Sequence, residues 1–202
     1  MESIKKGVLE MLSIVFAVLL ALGLTHWREE VNQQNTSNKA LTNILVELHA
    51  NKLELEGEFE ELKKRIDSLV VLKGEIENGK GDKRNLGFNM PVLSNSAWKA
   101  ANAMGAVDRF ELQLLMDLST LYRFQEMFQE NGMAYFRQFS SLEFNKDENL
   151  LAVVKSNITQ AYTTYSLGEQ LNKSYVDFYI EHSTGIAPFL PDSLKSRYVK
   201  SE

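Results

Sequence analysis

The stretch 41-LTNILVELHANKLELEGEFEELKKRIDSLVVLKGEI-76 decides the fold. Leu41, Leu48, Leu55, Leu62, Leu69 and Ile76 recur at seven-residue steps. Between them fall Leu45, Lys52, Phe59, Ile66 and Lys73, so the spacing alternates between four and three. Residues three and four apart lie on one side of an α-helix. An apolar repeat of this period, sustained over about five heptads, predicts left-handed packing in a coiled coil or a bundle seam. Lys52 and Lys73 interrupt the second set; polar residues there lower stability and can set register. The same phase runs back through Val31 and Trp27. It predicts one long helix, with weak points in the polar 32-NQQNTSNK-39 and at Gly57.

Followed toward the N-terminus, this helix meets 10-EMLSIVFAVLLALGLTHWRE-29. Met11 to Leu24 carries no charge, and Val8 to Leu24 is apolar apart from Glu10 and Ser13. As a helix, Val8 to Leu24 spans roughly 25 Å. Thr25 and Trp27 extend it toward the ~30 Å of a bilayer core, and Trp suits the headgroup layer. Lys5 and Lys6 would also begin a signal peptide. A cleaved leader is the competing reading, but Glu10 opens the apolar run, Ala21-Leu22-Gly23 is a poor cleavage site, and the helical pattern continues past Arg28. A retained anchor is therefore expected over residues 8–27. Lys5 and Lys6 outweigh Arg28, which Glu29 and Glu30 follow, so the N-terminus is expected in the cytoplasm and the body on the far side. Glu10 is either a functional intramembrane carboxylate or a headgroup-level partner of Lys6 one turn away. Ser13, Ala17 and Ala21, at four-residue steps, form a small-residue stripe that would let a second membrane helix approach.

Toward the C-terminus, Gly79, Gly81, Gly87 and Pro91 mark a loop. A short helix is expected in 94-SNSAWKAANAMG-105, capped by Ser or Asn and stopped at Gly105. Asp108 to Glu111, "DRFE", resembles a capping box that opens a helix carrying Phe110, Leu114, Leu118, Leu121, Phe128, Tyr135 and Phe139. After 144-FNKDEN-149, a last helix presents Leu151, Val154, Ile158, Ala161, Tyr165, Leu171, Tyr175 and Phe178, and ends near Gly185 and Pro188. No strand-like alternation appears. The expected architecture is all-α: residues 1–7 cytoplasmic, 8–27 the membrane helix, 28–78 a long heptad-patterned helix, 79–95 a loop, 96–184 the rest of a three- or four-helix bundle, and 185–202 a tail.

The chemistry is sparse. The chain has 202 residues, no Cys and a net charge of -5. Disulfides and thiolate sites are excluded, and no basic face suits a nucleic-acid backbone. His26, His49 and His182 are far apart, and none follows an acidic residue by three positions, the Glu-x-x-His order of bundle metal sites. His26 is expected at the membrane surface, His49 in solvent beside Leu48, and His182 at a helix C-terminus, where the dipole favours an imidazolium. Glu54, Glu56, Glu58, Glu60 and Glu61 would spread around a helix next to Lys63 and Lys64, and read as a solvated face before a cation site. Tyr122, Phe124, Phe128, Tyr135, Phe136 and Phe139 on one helix, and Tyr162, Tyr165, Tyr175, Phe178 and Tyr179 on another, read as core; a ligand pocket between them is the alternative, for Trp98 as well. No catalytic residue, metal or cofactor is expected.

Three blocks occur in an order that resembles one uncharacterised family of bacterial single-pass membrane proteins: the anchor exit Trp27-Arg28-Glu29, the segment Glu47 to Asn51, and Ser96-Ala97-Trp98 through Tyr122. The resemblance implies an N-terminal membrane helix followed by a helical extracytoplasmic domain in a bacterial inner membrane. It implies no activity. The expected role is a non-enzymatic accessory subunit or scaffold, with lipid and other membrane subunits or further copies as partners. A ligand-binding or sensor bundle is the alternative.

Overall fold

A computed structural model describes residues 2–80, 89–144 and 150–198, with the backbone alone described for 2–10, 13 and 141–144. No strand occurs among the described residues. Helix α1 runs unbroken from Glu2 to Glu77, through both of its expected weak points. At ~1.5 Å per residue its 76 residues extend over roughly 110 Å. After it come α2 (Ser96–Ala103), a 3-10 turn (Ala106–Arg109), α3 (Leu112–Phe144) and α4 (Leu150–Glu181). The chain ends with α5 (Ser183–Ile186), a second 3-10 turn (Ala187–Phe189) and α6 (Asp192–Tyr198).

Contacts fix the directions. Arg109, just ahead of α3, reaches Glu30 of α1, so α1 and α3 run the same way. Lys155 near the start of α4 meets Glu77 at the end of α1 at 3.1 Å, and the Tyr179 hydroxyl near the other end of α4 donates to the Leu45 carbonyl, so α4 is antiparallel to both. The fourth member of the bundle is residues 89–95 with α2, which climb back between α1 and α3. Arg65 donates to the Asn89 carbonyl, Asn51 to the Ser94 carbonyl and Gln129 to the Leu93 carbonyl. An extended segment has no ladder of its own, so its backbone groups are satisfied by side chains of the helices on either side.

The seam lies inside the chain. Leu41, Leu45, Leu48, Leu55, Leu62, Ile66 and Leu69 are each at most 7% exposed, and Phe59 packs against them half-buried. Ile44, Asn51, Arg65 and Leu72 are buried beside them, because α1 meets α4 on one side and residues 89–103 on the other. That width moves Lys52 and Lys73 out of the seam to its edge. Lys52 pairs there with Glu56 at 2.7 Å and Lys73 with Glu77 at 3.9 Å. On α4 the buried stripe is Val154, Asn157, Ala161, Thr164, Gly168, Leu171, Tyr175 and Phe178.

One local expectation is corrected. "DRFE" does not open a helix: Asp108 lies in the 3-10 turn, Phe110 is extended (φ -72°, ψ 149°), and α3 starts at Leu112. Gly105 is the cause. Its φ of 65° reverses the chain directly after α2, and the 3-10 turn follows without room for an Asp cap. The tail past 185, which the sequence leaves free either to dock on the bundle or to lie loose, docks: Ile186, Leu190 and Leu194 enter the main core. Gly81, Gly87 and 145–149, expected as loop, lie outside the described residues.

Candidate interaction site

From Ser37 onward α1 is a wall of the bundle. Ahead of it, every described side chain from Met11 to Asn35 is exposed. Met11, Leu12, Ile14, Leu20 and Leu24 are each at least 48% exposed, and at 3.6 residues per turn they are spread all round the helix. An α-helix that is apolar all round is ordinarily surrounded by apolar material, in a core or in lipid. Ala17 and Ala21 share a face of this free helix. The side chains of Lys5, Lys6, Glu10 and Ser13 lie outside the described residues, so nothing is placed around them. Among the described residues no helix is long and apolar enough to cross a membrane; the expected span takes in 8–10 and Ser13. Arg28 is exposed next to Trp27, and His26 approaches Glu30 at 3.7 Å.

Where the free helix enters the bundle it is braced. Arg109 donates to Gln33 Oε1 at 2.7 Å and to Glu30 Oε1 at 3.3 Å. On the same end His182 Nε2–H donates to Asp117 Oδ2 at 2.9 Å and joins α4 to α3. His182 directly follows the last residue of α4, as its expected place at a helix C-terminus requires.

Lower down, a polar network crosses the core. Gln125 is 1% exposed and Asn51 3%. Gln125 Oε1 accepts from Asn51 Nδ2 at 3.0 Å and from the Tyr175 hydroxyl at 2.8 Å, while its Nε2 donates to the Ser94 carbonyl at 2.8 Å. Ser94 N–H donates to Asn51 Oδ1 at 2.8 Å. Glu47 closes the set. Its carboxylate accepts from the Tyr122 hydroxyl at 2.7 Å, from Ser94 Oγ at 2.6 Å and from the Ala97 N–H at 2.9 Å, the last of which satisfies an otherwise open donor of α2. Burial and the adjacent Glu47 carboxylate raise the Tyr122 phenol, and burial raises Tyr175, so both stay protonated donors. Trp98 stacks on Tyr122 with ring centres 5.2 Å apart. Apolar periodicity does not reveal Asn51, which falls beside the seam of α1; for Gln125 its place between Leu121 and Phe128, at the four-three step of α3, was the available signal.

The aromatic residues divide. Tyr122, Phe128, Tyr135, Phe139, Tyr175, Phe178 and Tyr179 are buried, whereas Phe136 and Tyr162 are exposed. His49, expected in solvent, is only partly exposed. Its Nδ1 lies 2.8 Å from the Tyr198 hydroxyl of α6, which in turn stacks on Tyr179 at 3.9 Å. Desolvation first, then Arg197 and Lys52, lower the His49 pKa below its ordinary value, and burial raises Tyr198. A neutral imidazole therefore faces a protonated phenol. A depressed histidine contributes stability above its unfolded value of about 6.5 and loses it as pH falls through the lower folded value. The melting temperature should accordingly drop between pH 7.5 and 5, and His49→Gln should shrink that drop. An unchanged drop in the variant would assign the acid sensitivity elsewhere.

In the acidic run, Glu56 pairs with Lys52, Glu61 with Lys64 at 2.6 Å, and Glu58 accepts from Asn89. Among the described residues no group of three or more His, Asp or Glu is placed to hold a metal ion. No protein-family model, no curated protein and no solved structure matches the chain. The fold and site define a class only: a helical bundle built on one very long helix whose N-terminal part stands free of it.

Proposed function

We propose that the chain is a membrane-anchored accessory or structural subunit of a bacterial envelope assembly, working by contact and not by catalysis. The observation that carries this reading is the free apolar stretch Met11–Trp27, exposed on every side at one end of an otherwise packed bundle. Lipid and a second membrane helix are the surroundings that such a stretch is suited to. In this reading the N-terminus is cytoplasmic, the anchor sits in the inner membrane, and the bundle stands on the extracytoplasmic side. The seam residues are occupied within the chain, so this reading assigns partner contact to the anchor and not to the seam.

Extraction of the full-length protein from its native membrane in a mild detergent tests this. A defined particle containing other subunits is expected. A particle of this chain alone, in one copy, would overturn the assembly role, and recovery in the soluble fraction without detergent would overturn the anchor. Within the membrane, Ala17→Leu with Ala21→Leu should widen the helix approach and reduce complex size on native gels. Unchanged size would remove the small-residue stripe from the account.

A further inference from the structure

Helix α1 has a second patterned side. One side faces the core, with Leu41, Leu48, Leu55, Leu62 and Leu69 buried. On the opposite side Val46, Ala50, Leu53 and Gly57 follow one another at steps of four, three and four, and all are exposed. Val46 is 44% and Leu53 46% exposed, and a Cβ at Gly57 would meet nothing within 4 Å. The same side continues into the free helix. Ala17 and Leu53 are 36 positions apart, as are Ala21 and Gly57. That is about ten turns at 3.6 residues per turn, so each pair lies on one line along the helix. The helix is unbroken between them and keeps the phase. Arg109 grips Glu30 and Gln33 on the core side, which leaves the line open.

We infer that two copies of this chain pair in parallel along this line. Ala17 and Ala21 meet their counterparts in the membrane, and Val46, Ala50, Leu53 and Gly57 meet theirs on the outer surface of the bundle. The inference rests on the anchor of the proposed function, and adds the partner and the second patch. Two chains held by the same end in one bilayer stand in the same direction. A two-fold axis between parallel helices then brings each residue against its own copy. A second copy fits because it presents both patches at the same heights above the membrane. An unrelated helix has to match each patch and the distance between them. Small residues in the lipid part allow close approach, and apolar four-three steps above it suit a left-handed pair. Arg28 and Lys39 also fall on the line, between the patches, and would meet their own copies. Polar residues at such positions lower stability and hold the register.

The chain has no Cys, so single-cysteine variants report without interference. Oxidation of the full-length protein in its native membrane should link Ala50→Cys and Leu53→Cys into dimers of twice 23.0 kDa. Lys63→Cys, on another side of α1, and Met127→Cys, on the outside of α3, should stay single. Leu53→Lys should cut the Ala50→Cys dimer about fivefold, because two ammonium groups then face each other. Leu53 is exposed, so the fold survives that change. No linkage at positions 50 and 53, equal linkage at all four positions, or linkage to a chain of another mass overturns the inference. Sedimentation with the membrane reads the anchor separately. The linkage pattern decides the pairing in whichever fraction holds the protein, so failure of the anchor and failure of the pairing are different results.

Discussion

Gln125→Leu should lower the free energy of unfolding by about 3 kcal/mol. Leucine fills most of the volume, so the loss comes from polar groups and not from a void. The Tyr175 hydroxyl loses its acceptor, the Ser94 carbonyl one of its two donors, and Asn51 Nδ2 one of its two acceptors. Asn51 and Tyr175 are in the interior, where an unpaired polar group costs roughly 1–3 kcal/mol, whereas Ser94 is exposed and its carbonyl keeps Asn51. Tyr175→Phe should be costly in the native background and nearly free in Gln125→Leu, since its partner has already gone. Chemical denaturation of the four proteins of this double-mutant cycle measures the coupling. Additive losses would mean that the two residues do not share a bond.

Gly168→Leu should be at least as damaging. A Cβ at Gly168 would stand 2.9 Å from Phe59 Cε1 and 3.2 Å from Phe128 Cε2, so even alanine must push two rings of the core apart. Overpacking of this kind costs about 1–3 kcal/mol for small additions and more for a full side chain. Gly57 is the control. It lies in the same long helix as Phe59, yet a Cβ there meets nothing within 4 Å. Gly57→Ala should therefore stabilise by up to about 1 kcal/mol through helix propensity alone. Opposite signs for Gly57→Ala and Gly168→Ala on thermal unfolding are the expected result; equal signs would show that the contact at Phe59 relaxes freely.

These two sites also mark where the sequence is silent. The long helices, the all-α class and the leucine positions of α1 follow from apolar spacing, because burying a side chain of this kind stabilises by about 1.5–3 kcal/mol and few other patterns gain as much. Asn51, Gln125, Asn157, Thr164 and Gly168 occupy the same buried stripes, and a reading that counts apolar residues passes over them. Residues 89–95 were legible as a loop between helices, since Pro91 and its neighbours break both periods. Nothing local showed that the loop would serve as a bundle member, because its partners are Asn51, Arg65, Gln125 and Gln129, residues 24 or more positions away. His49 and Tyr198 are separated by 149 residues, and only the docking of α6 brings them together. The interaction site was partly legible: the apolar run predicted a helix in need of a partner.

The unbroken passage of α1 out of the bundle has a mechanical consequence. Residues 2–35 form a rod of roughly 50 Å, and a 10° change of tilt at its base would carry the far tip through about 9 Å. The Arg109 clasp on Glu30 and Gln33 sits at that base, one turn beyond the last buried residue of the helix, so it acts as the fulcrum. The whole of α1 continues below it as a wall of the core. Sideways force on the tip thus meets the Arg109 contact first and the packed interior next.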